Sequence, residues 1–434
     1  MFDSKERLTV ICLAAVAVVL GIVAIFALGW DNPYFIDSPD YIAAARSLLT
    51  DGTYPSISSL PFFRAPLYPM FMAAVWSITS ENAFAVKLVQ VALHAGFVVM
   101  IYAASKILTG DRLAAGIGGL MAATNPFFLY HAAAIQTETL HTFLVMLGML
   151  ATVALLMNRG PEIRMSVIAG IAFGLAALCK PSALGVGIVA AVMLVLLGFR
   201  SGKRLAVPAV IVAAMFLTIL PWSFYNEATK GEFILINDAG GYALWLGNHE
   251  AGLPLYESTF NSGAEREEYQ EYVSKTLAAK QIEEWEATRG YSGLSLSNRE
   301  ALWREAAIEK IRSDPPRSLR LFAWKLWGFL KPNLNREVYG EKAAIASTVY
   351  MVLVWVLALI GFVQVGRDPR THKALWFLAV VVLFVTVAHM VIVSNLRLRI
   401  PYIDPWLMVF AGSGIAALIR RLSGPNAAQT ELAM

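Results

Sequence analysis

Apolar residues run along this chain in long blocks separated by short polar stretches, and the length of those blocks is the first structural signal. Leu8 to Gly29 form a run of 22 residues behind Lys5 and Arg7. At ~1.5 Å per residue, a helix of that length crosses a ~30 Å hydrocarbon layer. Further blocks lie at about 83–108, 113–130, 138–157, 165–179, 183–199, 205–221, 345–365, 374–393 and 403–419, so the pattern predicts ten spans. Segment 61–79 is apolar but punctuated by prolines at 61, 66 and 69, which suits an interfacial or re-entrant element better than a span. A cleaved signal peptide is the alternative for the first block, because Ala27 and Gly29 resemble a cleavage site. Its apolar region exceeds the ~7–15 residues usual for such signals, which favours an anchor.

Composition agrees. The chain is 57% hydrophobic and 15% charged, with a mean hydropathy of +0.59, whereas soluble domains carry about 25% charged residues. The fold class is therefore an all-α polytopic membrane protein of about ten transmembrane helices. A cytoplasmic N-terminus puts Lys5, Arg7, Lys106, Arg112, Arg159, Arg164, Arg200, Lys203, Arg204, Arg367, Arg370, Lys373, Arg420 and Arg421 on the cytoplasmic side, as the positive-inside bias requires. Both termini are then cytoplasmic. The excess of 35 Lys and Arg over 31 Asp and Glu is too even for a nucleic-acid binder. Cys12 and Cys179 lie in apolar runs, so neither a disulfide framework nor a zinc site is expected.

Between Pro221 and about Pro316 the chain turns polar, which predicts a small, mostly helical extracytoplasmic domain over 222–317. It separates an N-terminal transmembrane module, 1–221 with its first external loop at 30–82, from an interfacial helix and the last spans, 318–434. Two surface helices are expected in this domain, one over AEREEYQEYVSKTLAAKQIEEWEATRG and one over SNREALWREAAIEKIRSDPP, the second with a Ser297–Glu300 capping box. SLRLFAWKLWGFLKP interleaves Arg320, Lys325, Trp324 and Trp327 with apolar residues, as a helix lying in the interface does.

The charges that topology leaves unexplained carry the chemistry, because a polar group near the bilayer is costly without a partner or a task. They are Asp37, Asp40, Arg46 and Arg64 in the first loop, Glu138 at the mouth of the fourth span, Lys180 between the fifth and sixth, and Arg397, Arg399 and Asp404 near the end, all at one membrane face. Carboxylates can accept a proton from an attacking hydroxyl, and fixed cations can hold a phosphate as its charge develops. That combination suits a lipid-phosphate substrate. No Walker loop, nucleophile elbow or His-rich metal motif is present in the sequence, which argues against ATP as donor.

DSPDYIAAARSLLTDGTYP from Asp37, then RAPLYPMF from Arg64, resembles the first external loop of the GT-C membrane glycosyltransferases, specifically the family 39-like group of bacterial protein mannosyltransferases and the aminoarabinose transferase. NPFFLYHAAAIQTETLHTFLVMLGML, GLAALCKPSALG, LPWSFYNEATKGEFILINDAGGYALWLGNH and LRLRIPYIDPWLMVFAGSG match in order, so the resemblance covers almost the whole chain. It implies a GT-C-like fold and an inverting transfer of sugar from a polyprenyl-phosphate donor at the extracytoplasmic face of a bacterial inner membrane, without a cofactor.

The resemblance also implies roles. Asp37 takes the place of the catalytic base, with Asp40 as a second carboxylate that could orient the acceptor or compete for the role of base, and Glu138, in QTET, as a third member of the site. The non-catalytic reading of Asp37 is a helix N-cap before Ser38-Pro39. Lys180, Arg64, Arg397 and Arg399 are candidates for the donor phosphate; the usual Arg-Tyr-Arg-Ile/Leu-Pro reads Arg-Leu-Arg-Ile-Pro here, with Leu398 replacing the aromatic. Tyr41, Tyr68, His131 and Asn248 are candidate substrate contacts, although His131 and His249 also fit structural histidines, and no metal site is expected. The partners implied are the lipid-linked sugar, membrane lipids and an acceptor that is lipid, glycan or protein. A lipid-linked sugar flippase and an outer-leaflet polysaccharide polymerase are the competing functions. The first of these needs polar groups at mid-depth, where Lys87, His94, His141 and His389 are the partial exceptions.

Overall fold

The computed structural model describes residues 3–32, 37–55, 64–197, 205–249, 293–334 and 340–423, with 280, 283–284 and 287–288; every regular element among them is helical. The N-terminal half holds α1 (Ser4–Leu28), α2 (Ser38–Thr50), α3 (Leu67–Thr79), α4 (Ala83–Thr109), α5 (Arg112–Thr124), α6 (Pro126–Ala133), α7 (Glu138–Leu156), α8 (Glu162–Cys179) and α9 (Ser182–Leu197). Then come α10 (Ala206–Lys230), α11 (Gly240–Asn248), α12 (Leu296–Ser313), α13 (Pro315–Leu330), α14 (Glu341–Val365), α15 (His372–Val391) and α16 (Asp404–Leu422). The first expected surface helix, and Arg200, Lys203 and Arg204, lie outside or largely outside the described residues.

Eight helices, α1, α4, α7, α8, α10, α14, α15 and α16, are long and apolar enough to cross a membrane. α5 and α6 form a ninth as a pair bent by 48°. The bend has a local cause. Asn125 sits in extended backbone and accepts the Phe127 and Phe128 amides, while Pro126 has no amide to continue the α5 ladder. The remaining expected block, 183–199, forms the shorter apolar helix α9, so eight or nine helices against about ten expected are long enough to span. Segment 61–79 yields α3, 13 residues long, packed against α2 and α4, with its beginning outside the described residues.

α7 is the axis of the bundle and α1 its rim: 83% of the most apolar stretch of α7 is buried, against 22% for α1. α1 accordingly buries one stripe, Leu13, Ala17, Gly21 and Ile25, at four-residue spacing. Where helices touch without a hydrophobic driving force, small residues set the approach. α14 and α16 pack backbone to backbone, since a Cβ at Gly361 would collide with the Phe410 carbonyl and one at Gly414 with the Leu357 carbonyl.

α10 does not stop at Pro221 but continues to Lys230. The segment that follows supplies the reason: Trp222, Ser223 and Asn226 donate side-chain hydrogen bonds to the carbonyls of Ile236, Leu235 and Ile234, at 2.6, 2.8 and 2.9 Å. The expected capping box of α12 is also displaced. Ser295 is the N-cap, Glu232 accepts the Leu296 and Ser297 amides, and Glu300 accepts the Gly241 amide. A carboxylate brought from another loop thus does the local capping. α13 turns Leu321, Lys325 and Phe329 inward and leaves Leu319 and Trp327 exposed.

At the end of the bundle away from Asp37, Lys106 pairs with Glu6 at 2.7 Å, Arg112 with Asp3 and Glu6, and Arg420 with Asp111 at 2.5 Å.

Candidate active site

Asp37 and Asp40 lie three residues apart at the start of α2, so both carboxylates project from one face of its first turn. Asp37 occupies the N-cap position, yet its backbone is in the helical region and its side chain caps nothing. Both oxygens are committed elsewhere: Oδ1 accepts from Arg64 Nη2 at 3.0 Å and Oδ2 from Arg397 Nη1 at 2.9 Å. Arg64 also donates to Asp40 Oδ2, from Nη2 at 2.6 Å and from Nε at 3.1 Å, and lies over the Tyr41 ring. Arg397 comes from 360 positions downstream and reaches Glu138 as well, Nε to Oε1 at 3.6 Å. Glu138 in turn accepts from Lys180 Nζ at 2.6 Å.

The result is an alternating array of three carboxylates and three cations: Asp40, Arg64, Asp37, Arg397, Glu138, Lys180. Glu138 is buried, while Asp37, Asp40, Arg64, Arg397 and Lys180 keep between 15 and 29% of their side chains exposed. Burial alone would raise the Asp37 pKa, but the Arg397 and Arg64 guanidiniums outweigh it and hold the carboxyl below its usual range. Burial opposes the charge on both guanidiniums, yet both are shifted upward, Arg64 by Tyr41, Asp37 and Asp40 and Arg397 by Asp37, Glu138 and Tyr41. Burial also pushes the Tyr41 phenol above its ordinary value. By formal count, three carboxylates balance three cations in the array.

Arg399 does not join it. The stretch Leu396–Leu398 is a 3-10 turn, which advances about 120° per residue, so side chains two positions apart leave in different directions. Arg397 faces the carboxylates. Arg399 is buried against Asp404 at 2.7 Å and donates to the Leu330 and Lys331 carbonyls, joining the last turn of α13 to the first turn of α16. Asn248 is engaged elsewhere too, donating to the Leu244 and Val391 carbonyls and accepting from Lys325 Nζ at 3.1 Å. Arg46 pairs with Glu81 on an exposed surface. Tyr68 is buried edge-on to Tyr41, its hydroxyl donating to Gln90 Oε1 at 2.6 Å. His131 is buried and bonded to Gln136 through Nδ1.

Two supporting residues escaped the sequence reading. Ser38 donates to the Ile135 carbonyl at 2.7 Å, fastening the first turn of α2 to the segment that leads into Glu138 at the start of α7. Tyr54 donates to the Arg64 carbonyl at 3.0 Å, its own amide is held by Tyr225 and its ring meets Trp222 edge-on. A polar residue in a loop gives no periodic signal for such a task; only the DGTYP and PWSFYN motifs pointed to these neighbourhoods.

Residues 63–225 match the family described as dolichyl-phosphate-mannose-protein mannosyltransferase, a segment that includes Arg64, Tyr68, His131, Glu138 and Lys180. No curated protein matches the chain. Among solved structures, the oligosaccharyltransferase AglB of Archaeoglobus fulgidus, in complex with an inhibitory peptide and a dolichol-phosphate, superposes with a TM-score of 0.58 at 14% identity, over 99% of this chain and 52% of that one. An A. fulgidus oligosaccharyltransferase tethered to an acceptor peptide gives 0.55 at 15% identity, over 95% and 50%. ArnT of Cupriavidus metallidurans bound to undecaprenyl phosphate gives 0.44 at 15%, over 94% and 77%. The chain spans about half the length of the two archaeal proteins. It is a polytopic membrane protein with the fold of the GT-C glycosyltransferases, and its residues 63–225 carry the sequence pattern of the dolichyl-phosphate-mannose-protein mannosyltransferases.

Proposed function

We propose that this chain is an integral membrane glycosyltransferase that moves a sugar from a polyprenyl-phosphate donor to an acceptor hydroxyl at the extracytoplasmic face, with inversion at the anomeric carbon. The observation that carries the proposal is the position of Asp37, a partly exposed carboxylate held on both oxygens by arginines at one end of the bundle. The AglB structure with dolichol-phosphate supports a lipid phosphate as the carrier. In the reaction, Asp37 takes the proton of the acceptor hydroxyl and the acceptor oxygen bonds to the anomeric carbon. The carbon–oxygen bond to phosphate breaks, and polyprenyl phosphate leaves with the electron pair. Arg397, Arg64 and Lys180 neutralise the charge that grows on it.

Each of these cations already has a carboxylate partner, so donor binding is an exchange: phosphate takes up guanidinium hydrogen bonds that Asp37 gives up. Losing a cationic partner raises the basicity of a carboxylate. The donor thereby prepares its own base. A flippase would need ionisable groups linked along the transmembrane path, and three of the four mid-depth candidates make local contacts instead. Lys87 caps the Gly29 and Asn32 carbonyls at 2.7 and 2.5 Å, His141 contacts the Ala176 carbonyl and the Tyr402 hydroxyl, and His389 contacts the Val393 carbonyl.

The test is transfer by purified protein in vesicles, offered a panel of polyprenyl-phosphate sugars and assayed by mass spectrometry. Asp37→Asn is expected to lower the rate by roughly 10²–10⁴-fold, the usual size of a general-base contribution. Transfer at the wild-type rate by that variant would remove Asp37 as base.

A further inference from the structure

A second site is built at the opposite end of the molecule, between α14 and α16. These helices are pressed together at Gly361 and Gly414, and beyond that crossing they leave a groove of about 230 Å³ walled by Leu359, Val363 and Leu418 and closed by Arg367 and Arg421. Leu359 and Val363 are 65% and 52% exposed, which is tolerable only against hydrocarbon.

The arginines say which hydrocarbon. Arg367, Arg370, Arg420 and Arg421 all belong to this end, and two are already neutralised, Arg370 by Asp368 at 2.7 Å and Arg420 by Asp111 at 2.5 Å. Arg367 and Arg421 have no carboxylate partner among the described residues, and they are the two that line the groove. Two unneutralised guanidiniums above an apolar trough match a phosphodiester on top of an acyl chain. A zwitterionic headgroup would bring its own ammonium towards them, so a net negative lipid fits better.

We propose that this groove binds an anionic phospholipid, with its phosphodiester between Arg367 and Arg421 and an acyl chain along Leu359, Val363 and Leu418. The ligand is a membrane lipid and not free phosphate, because the groove is mostly wall. Bound there, it would brace the glycine-packed pair α14 and α16 where the helices part.

Native mass spectrometry of the full chain, released from mixed phosphatidylglycerol and phosphatidylcholine nanodiscs, tests this. The wild type should retain phosphatidylglycerol in preference, and the double variant Arg367→Gln/Arg421→Gln should retain roughly tenfold less. Leu418→Trp, which fills the trough without altering charge, should also lower retention while both arginines remain. Equal retention of the two lipids by the wild type would overturn the proposal, as would undiminished phosphatidylglycerol on the double variant. Displacement by millimolar inorganic phosphate would mean that the arginines bind a free anion and the trough binds nothing.

Discussion

Asp37 is held as a carboxylate by two arginines, which gives its acid–base behaviour a definite sign. A depressed pKa contributes stability that is present above the unfolded value of ~4 and lost as pH falls through the folded value. In the unliganded protein, Asp37 therefore stays ionised across pH 5–8, and kcat/KM for the proposed transfer should show no acid limb from it in that window. If donor binding withdraws the arginines as proposed, the acid limb of kcat should lie at higher pH than that of kcat/KM. Coincident limbs would contradict the exchange. The same logic separates chemistry from affinity. Asp37→Asn, unable to act as base, removes the charge that competes for Arg64 and Arg397, and isothermal titration should find it binding polyprenyl phosphate several-fold more tightly than the wild type. Asp37 and Glu138 were legible as single residues in sequence, through their place at span ends and the family resemblance. Their contact through Arg397 was not, because no local pattern encodes a pairing across 360 positions.

At the level of elements, two arginines on one turn serve different masters. Arg397→Gln should abolish most transfer and leave the melting temperature close to wild type. Arg399→Gln leaves Asp404 buried and unpaired between α13 and α16, a change that typically costs about 3–5 kcal/mol, and should lower thermal stability in a fluorescence melt. Sequence reasoning treated the pair alike because period and composition do not reveal a 3-10 turn. α13 carries a similar lesson: its amphipathic pattern is plain, yet Lys325 faces inward, bonded to Asn248 and the Val391 carbonyl. Burial, helped by Arg317, pulls the Lys325 pKa down to about 7. The folded state then binds fewer protons than the unfolded chain between about pH 7 and the free-lysine value near ~10.4, so stability should rise with pH over that range. A Lys325→Met variant should lose that slope in melts recorded from pH 7 to 9.

For the whole molecule, the spans were readable because block length is a physical requirement of the bilayer, and the ten expected blocks became eight long helices, one bent pair and the short α9. Boundaries were less readable where side chains from elsewhere intervened, as at Pro221 and at the start of α12. Sidedness rests on the basic residues and is open to direct measurement. A cysteine replacing Thr53, in the loop beside the array, should react with a membrane-impermeant maleimide from outside intact cells, and one replacing Arg159, between α7 and α8, only after the inner face is opened. The reverse pattern would invert the orientation.

The equality of three carboxylates and three cations around Asp37 has a consequence for how substrates arrive. A cluster without net charge casts little field beyond a Debye length, about 8 Å at physiological ionic strength, so it neither draws dissolved anions from bulk water nor steers them. If the donor is the proposed polyprenyl-phosphate sugar, its capture would depend on the lipid tail diffusing within the bilayer, and the association rate should be nearly indifferent to added salt.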